Sequence, residues 1–126
     1  MGRVIVLAVD DNEPVLATTA MRLRRAGYEV VEAESGLAAI SILESRSDIA
    51  VVLSDCQMPH MSGMELAKIV RERWPRIPFI AVSGQPQDRD LPDDVLFIPK
   101  PFKTAVVVAA IEEARGTIEF LRWTGS

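Results

Sequence analysis

Two adjacent carboxylates, Asp10-Asp11, follow directly on the apolar run Val4–Val9. A third, Asp55, stands after Ile49–Leu53 and Ser54; Ser83 follows Phe79–Val82; Lys100 follows Val95–Ile98 and Pro99. Each run has the length and composition of a strand buried on both faces, as in a parallel sheet. Ligands of open parallel sheets bind outside the carboxyl ends of the strands, so these side chains should meet in one shallow pocket. Three carboxylates gathered there repel one another unless a cation joins them. An all-oxygen donor set without histidine or cysteine suits a hard ion such as Mg²⁺. Taken singly, each piece has a plainer reading. Asp10-Asp11 can be turn residues opening a helix, Ser83-Gly84 an ordinary turn, and Lys100, between two prolines, a solvated loop residue. The convergence of four strand ends is what favours a site.

Short apolar runs alternate with amphipathic segments along the chain. Pro14 suits the first turn of a helix. Leu16, Ala20 and Leu23 share a helical face, and Gly27 is a stop signal. Tyr28–Ala33 reads as a second strand, and Leu37–Ser45 as a helix with Ile40 and Leu43 inward. Pro59 and Gly63 break the chain after Asp55. Leu66, Ile69 and Val70 then give a helical stripe closed at Trp74-Pro75, and Thr104 is placed to cap a last helix. The order βαβαβαβ, an irregular stretch, then βα predicts an α/β fold: a doubly wound parallel sheet with right-handed crossovers. Residues 85–94 carry Pro86 and Pro92 and no apolar stripe, so a fourth helix there is expected to be short or missing. Val107, Ile111, Ala114, Ile118 and Leu121 keep helical spacing through Gly116. Either Gly116 ends the helix, or residues 116–126 form a helical extension or tail that meets a partner or a second copy.

With 126 residues, the chain is expected to form one domain, 1–126, with a core that needs no staples. Its net charge of −4 speaks against a general nucleic-acid binder. The single cysteine, Cys56, excludes an internal disulfide. No signal peptide and no apolar stretch of membrane-spanning length is seen. A soluble, cytoplasmic protein without membrane contact is expected.

Taken together, Val9-Asp10-Asp11, Asp55-Cys56-Gln57-Met58-Pro59, Met61-Ser62-Gly63-Met64-Glu65-Leu66, Ser83 and Lys100-Pro101-Phe102 resemble the receiver domain of two-component response regulators. The set spans nearly the whole chain in the family's order. The resemblance implies a flavodoxin-like five-stranded sheet of order 2-1-3-4-5. It implies Asp55 as phosphoacceptor, Asp11 as direct Mg²⁺ ligand, Asp10 as an acid that reaches the metal through water, and the Gln57 backbone carbonyl as a further ligand. Ser83 would bond a phosphoryl oxygen, and Lys100 would pair with the acceptor carboxylate and then with the phosphoryl group. Phe97 matches the switch aromatic, with ordinary core packing as its plainer reading. The implied partners are a histidine kinase or histidine phosphotransfer protein and a downstream protein. In relatives the fourth helix forms part of the dimerising face, so a monomer or weak dimer is expected. The implied activity is self-phosphorylation and slow self-dephosphorylation, with Gln57 and Gln85 flanking the site, rather than turnover of an external substrate. Two other functions compete. A phosphorylation-independent binding module of this fold would tend to lose one of the acids or Lys100. Haloacid-dehalogenase-like phosphohydrolases place their first-strand acids two apart, whereas Asp10 and Asp11 are adjacent.

Overall fold

The structure, a computed structural model, describes residues 3–85 and 95–116. Five strands and four helices are present among them: β1 (Ile5–Val9), α1 (Glu13–Arg25), β2 (Glu29–Ala33), α2 (Gly36–Ser45), β3 (Val51–Asp55), α3 (Gly63–Arg73), β4 (Phe79–Ser83), β5 (Leu96–Pro99) and α4 (Thr104–Ala114). All strand pairs are parallel, in the order β2-β1-β3-β4-β5. This is the doubly wound sheet that the alternation of runs predicts. The order reverses between β1 and β3, whose carboxyl ends therefore flank the crevice where such sheets bind ligands.

Alternation along each strand builds two cores. Leu7, Val9, Val52 and Ala81 face α2 and α3, where they pack with Ala39, Leu43, Leu66 and Val70. Val6, Ala8, Leu53, Ile80, Val82 and Ile98 face α1 and α4, meeting Leu16, Ala20, Leu23, Val107 and Ile111. The central strands β1 and β4 are buried at every position, which is why they read as unbroken apolar runs.

Helix ends follow local chemistry. Asn12 caps α1, its side chain accepting from the Val15 N–H at 3.1 Å, and Pro14 sits in the first turn, where its missing N–H costs nothing. Gly27, with φ 104°, ends α1 in a conformation that L residues rarely take. Ser62 and Glu65 form a reciprocal capping box at the start of α3.

Several sequence expectations shift. β3 does not stop at Leu53: Ser54 and Asp55 continue the ladder, paired with Ala81 and Val82. Ser54 is tolerated in the interior because its hydroxyl donates to the Asp55 carbonyl at 3.0 Å. Thr104 is the first residue of α4 and not its cap. Lys103 holds the cap position, with no side-chain hydrogen bond there. On α3 the buried stripe takes in Ala67, while Ile69 is only partly buried. α4 ends at Ala114, and Gly116 follows with φ 85°. The remainder of the apolar stripe, residues 117–126, lies outside the described residues. So does 86–94, which holds most of the stretch where a short or missing helix is expected. Tyr28 ties the first half of the fold to the last helix: its hydroxyl donates to Glu112 at 2.6 Å. Burial and the Glu112 carboxylate push the phenol up to about 12.

Candidate functional site

The carboxyl ends of β1 and β3 and the segment after β5 each deliver one part of the site. Asp10 leaves β1 with its N–H donated to the Ala33 carbonyl at 3.1 Å. Its carboxylate turns inward, 7% exposed, and Oδ1 accepts from the Asn12 N–H at 2.9 Å. Asn12 thus serves twice: its side chain starts α1 while its backbone steadies Asp10. Asp11 is exposed. Asp55, last residue of β3, is mostly buried and sits opposite the pair. Oxygens of Asp10, Asp11 and Asp55 lie within 4.8 Å of one another.

Lys100 completes the pocket. Its backbone N–H donates to the Ser83 carbonyl at 2.8 Å, which fastens the segment after β5 to the end of β4. From that anchor Nζ reaches Asp55 Oδ1 at 3.2 Å and Asp10 Oδ2 at 3.7 Å. The Lys100-Pro101 peptide is cis. A cavity of about 20 Å³, the size of one water, lies below and is lined in part by Asp55, Lys100, Thr19 and Phe102.

Burial raises the carboxyl of Asp55 above its ordinary value; Lys100 opposes this as the next largest influence, and the Asp10 charge reinforces it. The Gln57 backbone N–H also bonds the Asp55 carboxylate and favours its charged form. One ammonium faces three carboxylates, an excess of two negative charges if all ionise. An all-oxygen donor set with that excess fits a hard divalent cation such as Mg²⁺.

Ser83 lies at the end of β4, adjoining β3, and is 1% exposed; its hydroxyl oxygen accepts from the Gln85 N–H at 2.9 Å. Phe97 does not join this cluster. It stands on β5 opposite Ala81 in register, half-buried beside Val106 and Ala109 of α4. The structure thus brings Asp10, Asp11, Asp55 and Lys100 together with the backbone of Gln57, sets Ser83 alongside, and leaves Phe97 on the outer strand.

One contact had no signal in the sequence beyond a glycine read as a breaker. Gly63 opens α3 directly against the acceptor strand. A Cβ there would overlap the Asp55 carbonyl oxygen and lie 2.7 Å from the Cys56 Cα. The Gly63 N–H donates to the Cys56 carbonyl at 2.9 Å. Only glycine lets the helix approach so closely. By contrast, Gly84 has open space, its nearest neighbour being Lys100 Cβ at 3.9 Å.

Residues 6–112 match the response regulator receiver domain family. The chain belongs to that family. Among curated relatives, the sensor kinase CckA of Brucella abortus is 37% identical over 118 residues, covering 89% of this chain and 12% of its own length. The chemotaxis protein CheY1 of Helicobacter pylori is 32% identical over 120 residues, covering 89% of this chain and 97% of that protein. The receiver therefore spans a small part of the kinase and nearly all of the chemotaxis protein. A receiver domain structure from Clostridium thermocellum superposes with a TM-score of 0.85 at 23% identity, covering 94% of this chain and 98% of that one. That likeness concerns the fold. Among the described residues, no helix of the receiver is long and apolar enough to cross a membrane.

Proposed function

We propose that this receiver accepts a phosphoryl group on Asp55 from the phosphohistidine of a histidine kinase or histidine phosphotransfer protein, in a Mg²⁺-dependent reaction. The observation that carries the reading is the meeting of Asp10, Asp11 and Asp55 with Lys100 on the acceptor oxygen side. In the transfer, a carboxylate oxygen of Asp55 attacks phosphorus. The new P–O bond forms as the P–N bond breaks; the imidazole nitrogen keeps the electron pair of that bond and takes up one proton from solvent, leaving as neutral imidazole.

A carboxylate is a weak nucleophile, so positioning and charge neutralisation must supply the rate. Asp55 is held by the end of its strand, by the Gln57 N–H and by Lys100. Lys100 favours the ionised form of Asp55 against its burial before transfer and can follow the charge to a phosphoryl oxygen afterwards. Asp11, with Asp10, Asp55 and the Gln57 carbonyl, would hold Mg²⁺. When bound, the ion offsets charge on the phosphoryl oxygens. Ser83, one strand away, is the hydroxyl suited to meet the new phosphoryl group: its O–H would donate to a phosphoryl oxygen, a role distinct from the bond it accepts from the Gln85 N–H. Phe97, half-buried on the outer strand, has room to respond, which makes the domain a two-state element biased by one local charge.

The same reading takes residues 1–126 as one receiver acting in the cytoplasm, passing its state to a downstream protein. Borohydride reduction after incubation with acetyl phosphate and Mg²⁺ tests the acceptor. Acyl phosphate at Asp55 is reduced to homoserine at that position, read by peptide mass. Homoserine elsewhere, at Asp10 or Asp11, overturns the assignment.

A further inference from the structure

The loop between Asp55 and α3 is held by an uncommon turn. The Met61 N–H donates to the Pro59 carbonyl at 2.7 Å, and His60 between them has φ 68°. A hydrogen bond from i+2 to i around a positive-φ residue is a γ-turn of the rare, strained hand. A residue with a side chain stays there only when its surroundings hold it. His60 is itself exposed, so the constraint comes from its neighbours.

One neighbour is Met61, packed against the α2–α3 face of the core. Its side chain lies over Gly36, the first residue of α2. A Cβ at position 36 would stand 2.6 Å from Met61 Sδ, 3.0 Å from Cγ and 3.1 Å from the Met61 Cβ. Gly36 is not among the positive-φ residues, so space and not backbone freedom requires the glycine. Met61 is thus seated on α2 while Gly63 fastens the other end of the loop to Asp55 and Cys56. Gln57, whose N–H reaches the acceptor carboxylate, lies within the segment so fixed.

We infer that Gly36 and Met61 are positioning residues for the metal site: the Met61 side chain, seated on Gly36, holds the γ-turn shut and fixes the loop that presents Gln57 to the acids. This inference rests on the Mg²⁺ reading above, with the Gln57 carbonyl as one ligand. It places part of the site's precision in a contact between two segments that supply no ligand. Groups that orient ligands commonly change metal affinity ten- to a hundredfold when altered.

The test is a MgCl₂ titration followed by the backbone amide shifts of Asp11, Gln57 and Gly63. It compares wild type, Gly36→Ala, Met61→Ala and the double variant, with Gly27→Ala as a control. An alanine at 27 is strained at φ 104° but meets nothing within 4 Å, so it lowers the melting temperature and leaves Mg²⁺ affinity alone. Each single variant is expected to weaken Mg²⁺ binding about tenfold and to speed amide exchange at Met61. The double variant should bind no more weakly than Met61→Ala, because alanine at 36 harms only through the displaced thioether. Unchanged affinity in both single variants overturns the inference, as does a double variant whose losses multiply. Should Gly36→Ala not fold, Met61→Ala still decides, since it only truncates a partly buried side chain. If wild type binds no Mg²⁺, the metal reading fails and the positioning role with it; if wild type binds Mg²⁺ and the single variants bind it equally well, the positioning role fails while the metal reading stands.

Discussion

The two sides of the pocket are built differently. On one, β1 and β3 lie inside the sheet, buried along nearly their whole length, and carry Asp10, Asp11 and Asp55. Gly63 and Asn12 fasten that side through backbone contacts. On the other, β5 is the outer strand: Leu96 and Phe97 are half-buried and Pro99 is exposed. It leads to Lys100, whose backbone N–H is tied to the Ser83 carbonyl at 2.8 Å. In the proposed transfer, the acids that must hold a fixed geometry sit at the ends of the inner strands, while Lys100, which must follow a moving charge, sits at the edge. Precision is cheap where packing already locks rotamers, and movement is cheap where a side chain has solvent beside it.

Substitutions on each side can break this contrast. The largest effect is expected from Lys100→Ala, which leaves the acids without their ammonium. Phosphorylation by acetyl phosphate should slow by about a hundredfold or more, with the fold intact by circular dichroism. A rate within threefold of wild type contradicts the role given to Lys100. Next come the two packing positions. Leu66→Ala, in the core beneath the acid side, should cost about 2–5 kcal/mol in urea unfolding. Phe97→Ala, on the half-buried edge, should cost less than half as much; equal losses would remove the distinction between the sides.

Ser83→Ala should keep phosphorylation within about tenfold, since positioning by Lys100 and the acids remains. The Phe97 ring signals should then no longer shift on phosphorylation. A shift of wild-type size would show that the hydroxyl is not the link. The smallest effect is one of stability against pH. Burial raises the Asp55 carboxyl, so the folded state prefers the protonated form. The fold is therefore penalised once pH climbs through that raised value, and is free of the penalty below the ordinary carboxylate range. Asp55→Asn should melt a few degrees higher than wild type at pH 7 without Mg²⁺, with the gap closing towards pH 3. A gap that grew on acidification would reverse the sign.

The acids and Lys100 were legible because strand ends follow from the lengths of apolar runs. Once the sheet is parallel, its carboxyl ends share one edge. Asp55 reads from the sequence as a strand end, but the last ladder residue of β3 is less legible, because Ser54 breaks the apolar run while its hydroxyl is satisfied locally. The cap at Lys103 in place of Thr104 shows the same limit at a helix end. Gly63 against Asp55 and Met61 over Gly36 were not legible at all. Both are close approaches between segments that meet only in the folded chain, and no periodicity records them. Phe97 could be named by resemblance, but its half-buried place depends on which strand ends the sheet.

The most direct test of the central claim is intact mass after incubation with acetyl phosphate and Mg²⁺, beside Asp55→Asn and a chelated control. Wild type should gain one phosphoryl adduct, absent from the variant and absent without the metal. A folded wild-type protein that gains no adduct, or an Asp55→Asn protein that gains one equally, would contradict that claim.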